Sequence, residues 1–243
     1  MRVLSTVPYT ALRLLRDYIS LLLLLIVPLV LITVFAFIFN DITTETGVPV
    51  INESAILMTL AFQFFGGAVV MAYIHPDFFS ERKERIQVLP FNRSMYAFSI
   101  SMCGTLYSIM LGLILVIYSE LVLGVDWGSW LWALFVISLM AILSSIICLI
   151  FVFSVKSYKI AERLSEVYGV GFIVLAGLFF PMPDHAFFTF VNTYINPLVL
   201  SAEAIWYQQM GNGSEAWFNV LILIGAIIVT FMIMFLIGRR KIK

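Results

Sequence analysis

A chain of 243 residues that is 62% hydrophobic and only 12% charged is not a soluble domain, in which about 25% of residues are charged. Its 14 basic and 14 acidic residues cancel to a formal net charge of zero, and no basic patch survives outside short loops to engage nucleic acid. The composition is that of an integral membrane protein lying in a lipid bilayer.

Six apolar stretches, at about 18–39, 55–74, 95–119, 129–153, 167–181 and 217–238, approach the ~20 residues needed to cross ~30 Å of hydrocarbon. They predict an all-α membrane protein with six transmembrane helices, in one domain covering 1–243. Every Lys and Arg falls in the N-terminus (Arg2, Arg13, Arg16), between the second and third stretches (Arg82, Lys83, Arg85, Arg93), between the fourth and fifth (Lys156, Lys159, Arg163) or after the sixth (Arg239, Arg240, Lys241, Lys243). The other loops hold no base and eight acids: Asp41, Glu45, Glu53, Glu120, Asp126, Asp184, Glu203 and Glu215. Cytoplasmic loops retain Lys and Arg, so both termini are expected in the cytoplasm.

In chain order, Val3, Val7, Ala11 and Leu14 recur at helical spacing with Arg13 and Arg16 on another face. This predicts an amphipathic interfacial helix over 1–17, broken near Pro8; a frayed basic tail is the competing reading. The first apolar stretch is too long for a signal peptide and no small-residue cleavage site follows it, so it is read as a retained span. His75-Pro76 is expected to end the second span. The first cytoplasmic loop then crowds six charges between Asp77 and Arg85, followed by the apolar Ile86, Val88 and Leu89 before Pro90. Glu81, Arg82 and Arg85 would flank an apolar tip that docks into a cleft on a soluble partner, the tip for burial and the ions for register. An ordinary positive-inside turn is the alternative.

Cys103 in the third stretch and Cys148 in the fourth indicate packing rather than a disulfide framework. The second cytoplasmic loop, 155–168, repeats the docking pattern, with Lys156, Lys159 and Arg163 on one helical face and Ile160, Leu164 and Val167 on another. Glu162 and Glu166 would favour a helix beginning near them. The fifth stretch, ended by Pro181, leaves about 15 residues and about 22 Å. The following outer segment is apolar at 186–191 and 195–207. One or two short re-entrant helices between the fifth and sixth spans account for this; a surface aromatic belt is the other reading.

No segment carries catalytic chemistry. There is no G-x-x-x-x-G-K-[ST] and no H-E-x-x-H, and the histidines, His75 and His185, stand far apart, so no catalytic or metal-ligating residue is assigned. No Asp, Glu, Lys or Arg lies near the middle of a stretch, whereas ion-coupled carriers keep such groups. Uphill work by this chain therefore needs energy from another subunit.

The order of interfacial helix, two spans, charged loop, two spans, second charged loop, short span, re-entrant segment and last span resembles the permease (transmembrane) subunit of a bacterial type-2 ABC exporter. Two local patterns are similar to that family's. The charged cluster followed by Leu89-Pro90, Arg93 and Tyr96 looks like its first coupling loop, although Ile86 stands where a glycine is common. The run Ile195-Asn196-Pro197-Leu198 looks like its outer Asn-Pro segment. The resemblance implies a multi-pass protein of the bacterial cytoplasmic membrane, not itself an enzyme, that binds no cofactor. Partner ABC ATPase subunits would hold ATP and Mg, and a second permease copy or homologue would complete the pathway. It further implies that Glu81, Arg82, Arg85, Ile86, Val88, Leu89, Lys156, Lys159 and Arg163 couple to the ATPase. The second and fifth spans would line the pathway with Phe62, Phe65, Phe172, Phe179 and Phe180, with Gly66-Gly67 and Gly169-x-Gly171 letting helices approach closely. An aromatic, uncharged route suits a hydrophobic or amphipathic cargo such as a peptide toxin, an antimicrobial or a lipophilic drug. A stand-alone channel or secondary transporter is the alternative, which the missing ionisable groups disfavour.

Overall fold

The computed structural model describes residues 7–39, 42–43, 49–80, 82–88, 93–178 and 183–241. They fold as α-helices: α1 (Val7–Leu15), α2 (Tyr18–Leu21) and α3 (Val27–Ile38) joined by a π-helical turn at Leu22–Ile26, α4 (Val50–Phe79), α5 (Lys83–Gln87), α6 (Arg93–Leu123), α7 (Trp130–Ser154), α8 (Tyr158–Leu175), α9 (Ala186–Tyr194), α10 (Pro197–Gln209) and α11 (Gly213–Lys241). The π-helical turn has a local cause. Pro28, in the first turn of α3, has no N–H to give the Leu24 carbonyl, and a widened turn relieves the clash.

Five of these helices have the length and apolarity to cross a membrane: Tyr18–Ile38, Val50–Phe79, Met95–Leu123, Trp130–Ser154 and Gly213–Arg239. The expected fifth span, 167–181, is not among them. Its residues form the C-terminal half of α8, which begins at Tyr158 and so carries Lys159, Glu162, Arg163 and Glu166 in its first half. The helix stops at Leu175 rather than at Pro181, because Gly177 adopts φ 76° and turns the chain out of the helix. Pro181 itself lies outside the described residues. Likewise α4 does not end at His75-Pro76 but runs through Pro76 to Phe79. At ~1.5 Å per residue it is about 45 Å long, well beyond ~30 Å of hydrocarbon. α1 begins at Val7 with Pro8 in its first turn, where a missing N–H costs nothing, and residues 1–6 of the helix expected over 1–17 lie outside the described residues.

The bundle is built around α4 and α7. Their apolar windows are 72% and 67% buried, against 17% for Tyr18–Ile38 and 11% for Gly213–Arg239, which therefore form the periphery. Small residues make the centre possible. Gly67 of α4 lies directly on the backbone of Ser144 in α7, and Gly66 lies on Ser108 of α6. Polar groups fill this seam and satisfy one another. Ser108 Oγ donates to Gln63 Oε1 at 2.8 Å, Thr105 Oγ1 donates to Ser145 Oγ at 2.8 Å, and Gly67 N–H donates to Ser144 Oγ at 3.2 Å. Such bonds join helices where lipid supplies no hydrophobic force between them.

Two short helices do follow α8. Asn196 starts α10, its side-chain carbonyl accepting from Leu198 N at 3.1 Å, with Pro197 in the first turn. Trp132 of α7 anchors α10 by donating Nε1–H to the Ala204 carbonyl at 2.9 Å. Phe187 and Phe190 are exposed on α9, and Phe180 lies outside the described residues.

Candidate functional site

Residues predicted to meet a partner gather at one end of the bundle. Because α4 continues past Pro76, it carries Asp77 into that end as a carboxylate only 1% exposed. Arg82, from the loop, approaches Asp77 Oδ1 at 3.3 Å, and Arg13, from α1, approaches Oδ2 at 3.9 Å. Tyr96, at the start of α6, donates its hydroxyl to Oδ2 at 3.0 Å. The Arg13 guanidinium also lies 4.4 Å from the centre of the Tyr73 ring. A buried acid held this way ties four segments together: α1, α4, the first charged loop and α6. The sequence placed Asp77 among the loop charges and did not distinguish it. The available signal was its position one residue after Pro76, set apart by three uncharged residues from the charges at 81–85.

Around this node, Arg82 and Arg85 are exposed, as is Val88 at 82%. Ile86 lies in α5, and Glu81 and Leu89 lie outside the described residues. In the second loop, Lys156, Lys159 and Arg163 are all exposed. They do not share one helical face, because α8 starts at Tyr158 and Lys156 precedes it. Arg163 pairs with Glu166 at 2.6 Å, and Glu166 is mid-helix rather than at a helix start. A run of rings brings the two loops side by side. His75 of α4 lies 5.2 Å from Tyr158 of α8 and 6.0 Å from Phe79, which in turn lies 6.0 Å from Phe153 of α7.

Higher in the bundle α4 meets α8 through aromatic side chains. Phe172 stacks on Phe64 at 6.1 Å with nearly parallel planes, and Tyr168 meets Phe64 edge-on at 5.2 Å. Phe62 and Phe65 are 6.2 Å apart, and Phe65 rests on Gly169. Phe62, Phe65 and Phe172 are each half-buried, while Phe64 is fully inside the core. Phe179 and Phe180 lie outside the described residues. Of the glycines expected to allow close approach, Gly66, Gly67 and Gly169 do so, but Gly171 faces open space.

The Asn-Pro segment closes the far end of α8. The carbonyls of its last turn need partners in an apolar setting, and the Phe172 carbonyl already accepts from Ala176 N–H at 2.9 Å. Asn196 donates Nδ2–H to the Phe172 carbonyl at 3.0 Å, and Asn192 donates to the Leu175 carbonyl at 2.8 Å. Asn196→Ala removes both this bond and the cap of α10. It should cost about 1–2 kcal/mol in detergent melts, and an unchanged melting temperature would contradict this double role.

No curated protein matches the chain. The family model for the ABC-2 type transporter matches residues 4–210, which takes in α1, the charged loops, the α4–α8 contact and the Asn-Pro segment. The chain belongs to the ABC-2 type transporter family, as a membrane-embedded permease subunit.

Proposed function

We propose that this chain is the non-catalytic half of an ATP-driven exporter in a bacterial cytoplasmic membrane. Separate ABC ATPase subunits would supply the energy, and a second permease copy or homologue would complete the pathway. In this reading α8 is the fifth, short span, α11 the sixth, both termini are cytoplasmic, and α9 and α10 turn back into the outer leaflet. The observation that carries it is the junction at Asp77. The exposed first loop is bound through a buried carboxylate to α4, the most buried helix, and the second loop touches the same helix end through His75 and Tyr158. A push on either loop would reach the α4–α8 contact. The half-buried Phe62, Phe65 and Phe172 there would meet an apolar or amphipathic cargo such as a peptide toxin or lipophilic drug.

The test is what a tagged chain brings with it from native membranes. An ATPase should co-purify, and replacing Ile86, Val88 and Leu89 together with Ser should reduce its recovery about tenfold while the melting profile stays as it was. Equal recovery from the variant would remove the first loop from the coupling role.

A further inference from the structure

Tyr9, Leu12, Arg13 and Arg16 stand at i, i+3, i+4 and i+7, one face of α1, and Arg16 N–H continues the turn by donating to the Leu12 carbonyl at 3.1 Å. The opposite face puts Leu14 into the core. Between the first face and Tyr73 of α4 is an open cavity of about 480 Å³, lined by Tyr9, Leu12, Arg13, Arg16, Asp17 and Tyr73. That volume falls in the about 300–1,000 Å³ range of ligand pockets.

The charges in this cavity are not equivalent. Asp17 is already engaged: it accepts from Ser20 Oγ at 2.8 Å, from Ser20 N at 3.3 Å and from Tyr73 Oη at 3.3 Å. Arg13 is oriented by the Tyr73 ring and by Asp77, yet its side chain remains 40% exposed. Arg16 is exposed and forms no ion pair among the described residues. The cavity thus offers two guanidinium groups, which suit a phosphate. Beside them are the exposed apolar surfaces of Tyr9 and Leu12, which inorganic phosphate would leave unused.

We propose that this cavity binds the phosphate headgroup of an anionic phospholipid, with Arg16 and Arg13 on the phosphate and Tyr9 and Leu12 against the glycerol and upper acyl chain. A basic interfacial helix beside a span is where the cytoplasmic leaflet presents such lipids. The choice of leaflet rests on the proposed orientation; the binding chemistry does not. Because Arg13 also holds Asp77, an occupied cavity would bear directly on the junction between α1 and the first loop.

Native mass spectrometry of the full chain in detergent tests this, with dihexanoyl phosphatidylglycerol, dihexanoyl phosphatidylcholine and inorganic phosphate as probes. The phosphatidylglycerol should bind most tightly. R16Q, which leaves the Asp77 contacts in place, should weaken it about fivefold. R239Q, removing a base on α11 away from the cavity, should not. Equal binding of phosphatidylcholine, displacement by inorganic phosphate at matched concentration, or an equal loss in R239Q would overturn the proposal. The measurement needs neither the ATPase nor a sided membrane, so its failure is separate from a failure of the coupling test.

Discussion

Replacing Arg13 and Arg82 together with Gln should destabilise the Asp77 end of the bundle by about 3–5 kcal/mol, and by more than Asp77→Asn does. The order follows from where the charges sit. The Asp77 side chain is 2% exposed, whereas those of Arg13 and Arg82 are 40% and 47% exposed. With both guanidinium groups gone, the buried carboxylate loses its two paired cations and keeps the Tyr96 hydroxyl, a neutral hydrogen-bond donor. With the carboxylate gone, the two guanidinium groups turn to water at little cost. Thermal unfolding in detergent, read alongside limited proteolysis within 82–88, measures both variants. If Asp77→Asn proved the less stable of the two, the node would be held by something other than charge pairing.

The second large effect lies mid-bundle. Gly67→Val should cost about 3 kcal/mol, because the new Cβ would strike the Ser144 backbone carbonyl, which cannot move without parting α4 from α7. Gly66→Ala should cost less. It meets the Ser108 hydroxyl, which can rotate away at the expense of its bond to Gln63, and the Ser108 Cβ, which yields only with a small shift of α6, whereas Gly67 faces backbone directly. Gly171→Ala meets nothing within 4 Å, so it should be neutral or stabilising by up to about 1 kcal/mol. Melting temperatures that failed to fall in this order would mean that α4 and α7 do not pack through Gly67.

The peripheral and central apolar helices were legible in sequence because each is a long run bounded by charge. So was a helical stretch after α8, read as one or two short helices from apolar character where an outer loop should be polar; Asn196-Pro197 was singled out as a motif, and its place at the start of α10 came from the structure. The boundaries of α4 and α8 were not. Pro76 reads as a stop, but this helix end is closed by its own loop, with Arg82 N–H donating to the Pro76 carbonyl at 3.1 Å. At α8, the charged residues from Lys159 to Glu166 read as loop, since charge pattern alone does not separate a loop from a helix that emerges from the membrane. Asp77 was hidden for a different reason. Its importance lies in contacts from Arg13, 64 residues earlier, and Tyr96, 19 residues later, and local spacing holds no trace of the former. Phe62, Phe65 and Phe172 were expected as pathway lining; the ring contacts of α4 with Tyr168 and Phe172 of α8 are made by Phe64, from inside the core.

The pinning of α4 at Gly66 and Gly67 has a mechanical consequence. A rigid helix pivoting at that closest approach would act as a lever with its fulcrum off-centre. From that fulcrum the arm to Asp77 is about 15 Å and the arm to Val50 about 25 Å. A tilt imposed at the short arm would then appear at the Val50 end reversed in direction and enlarged by roughly 1.7.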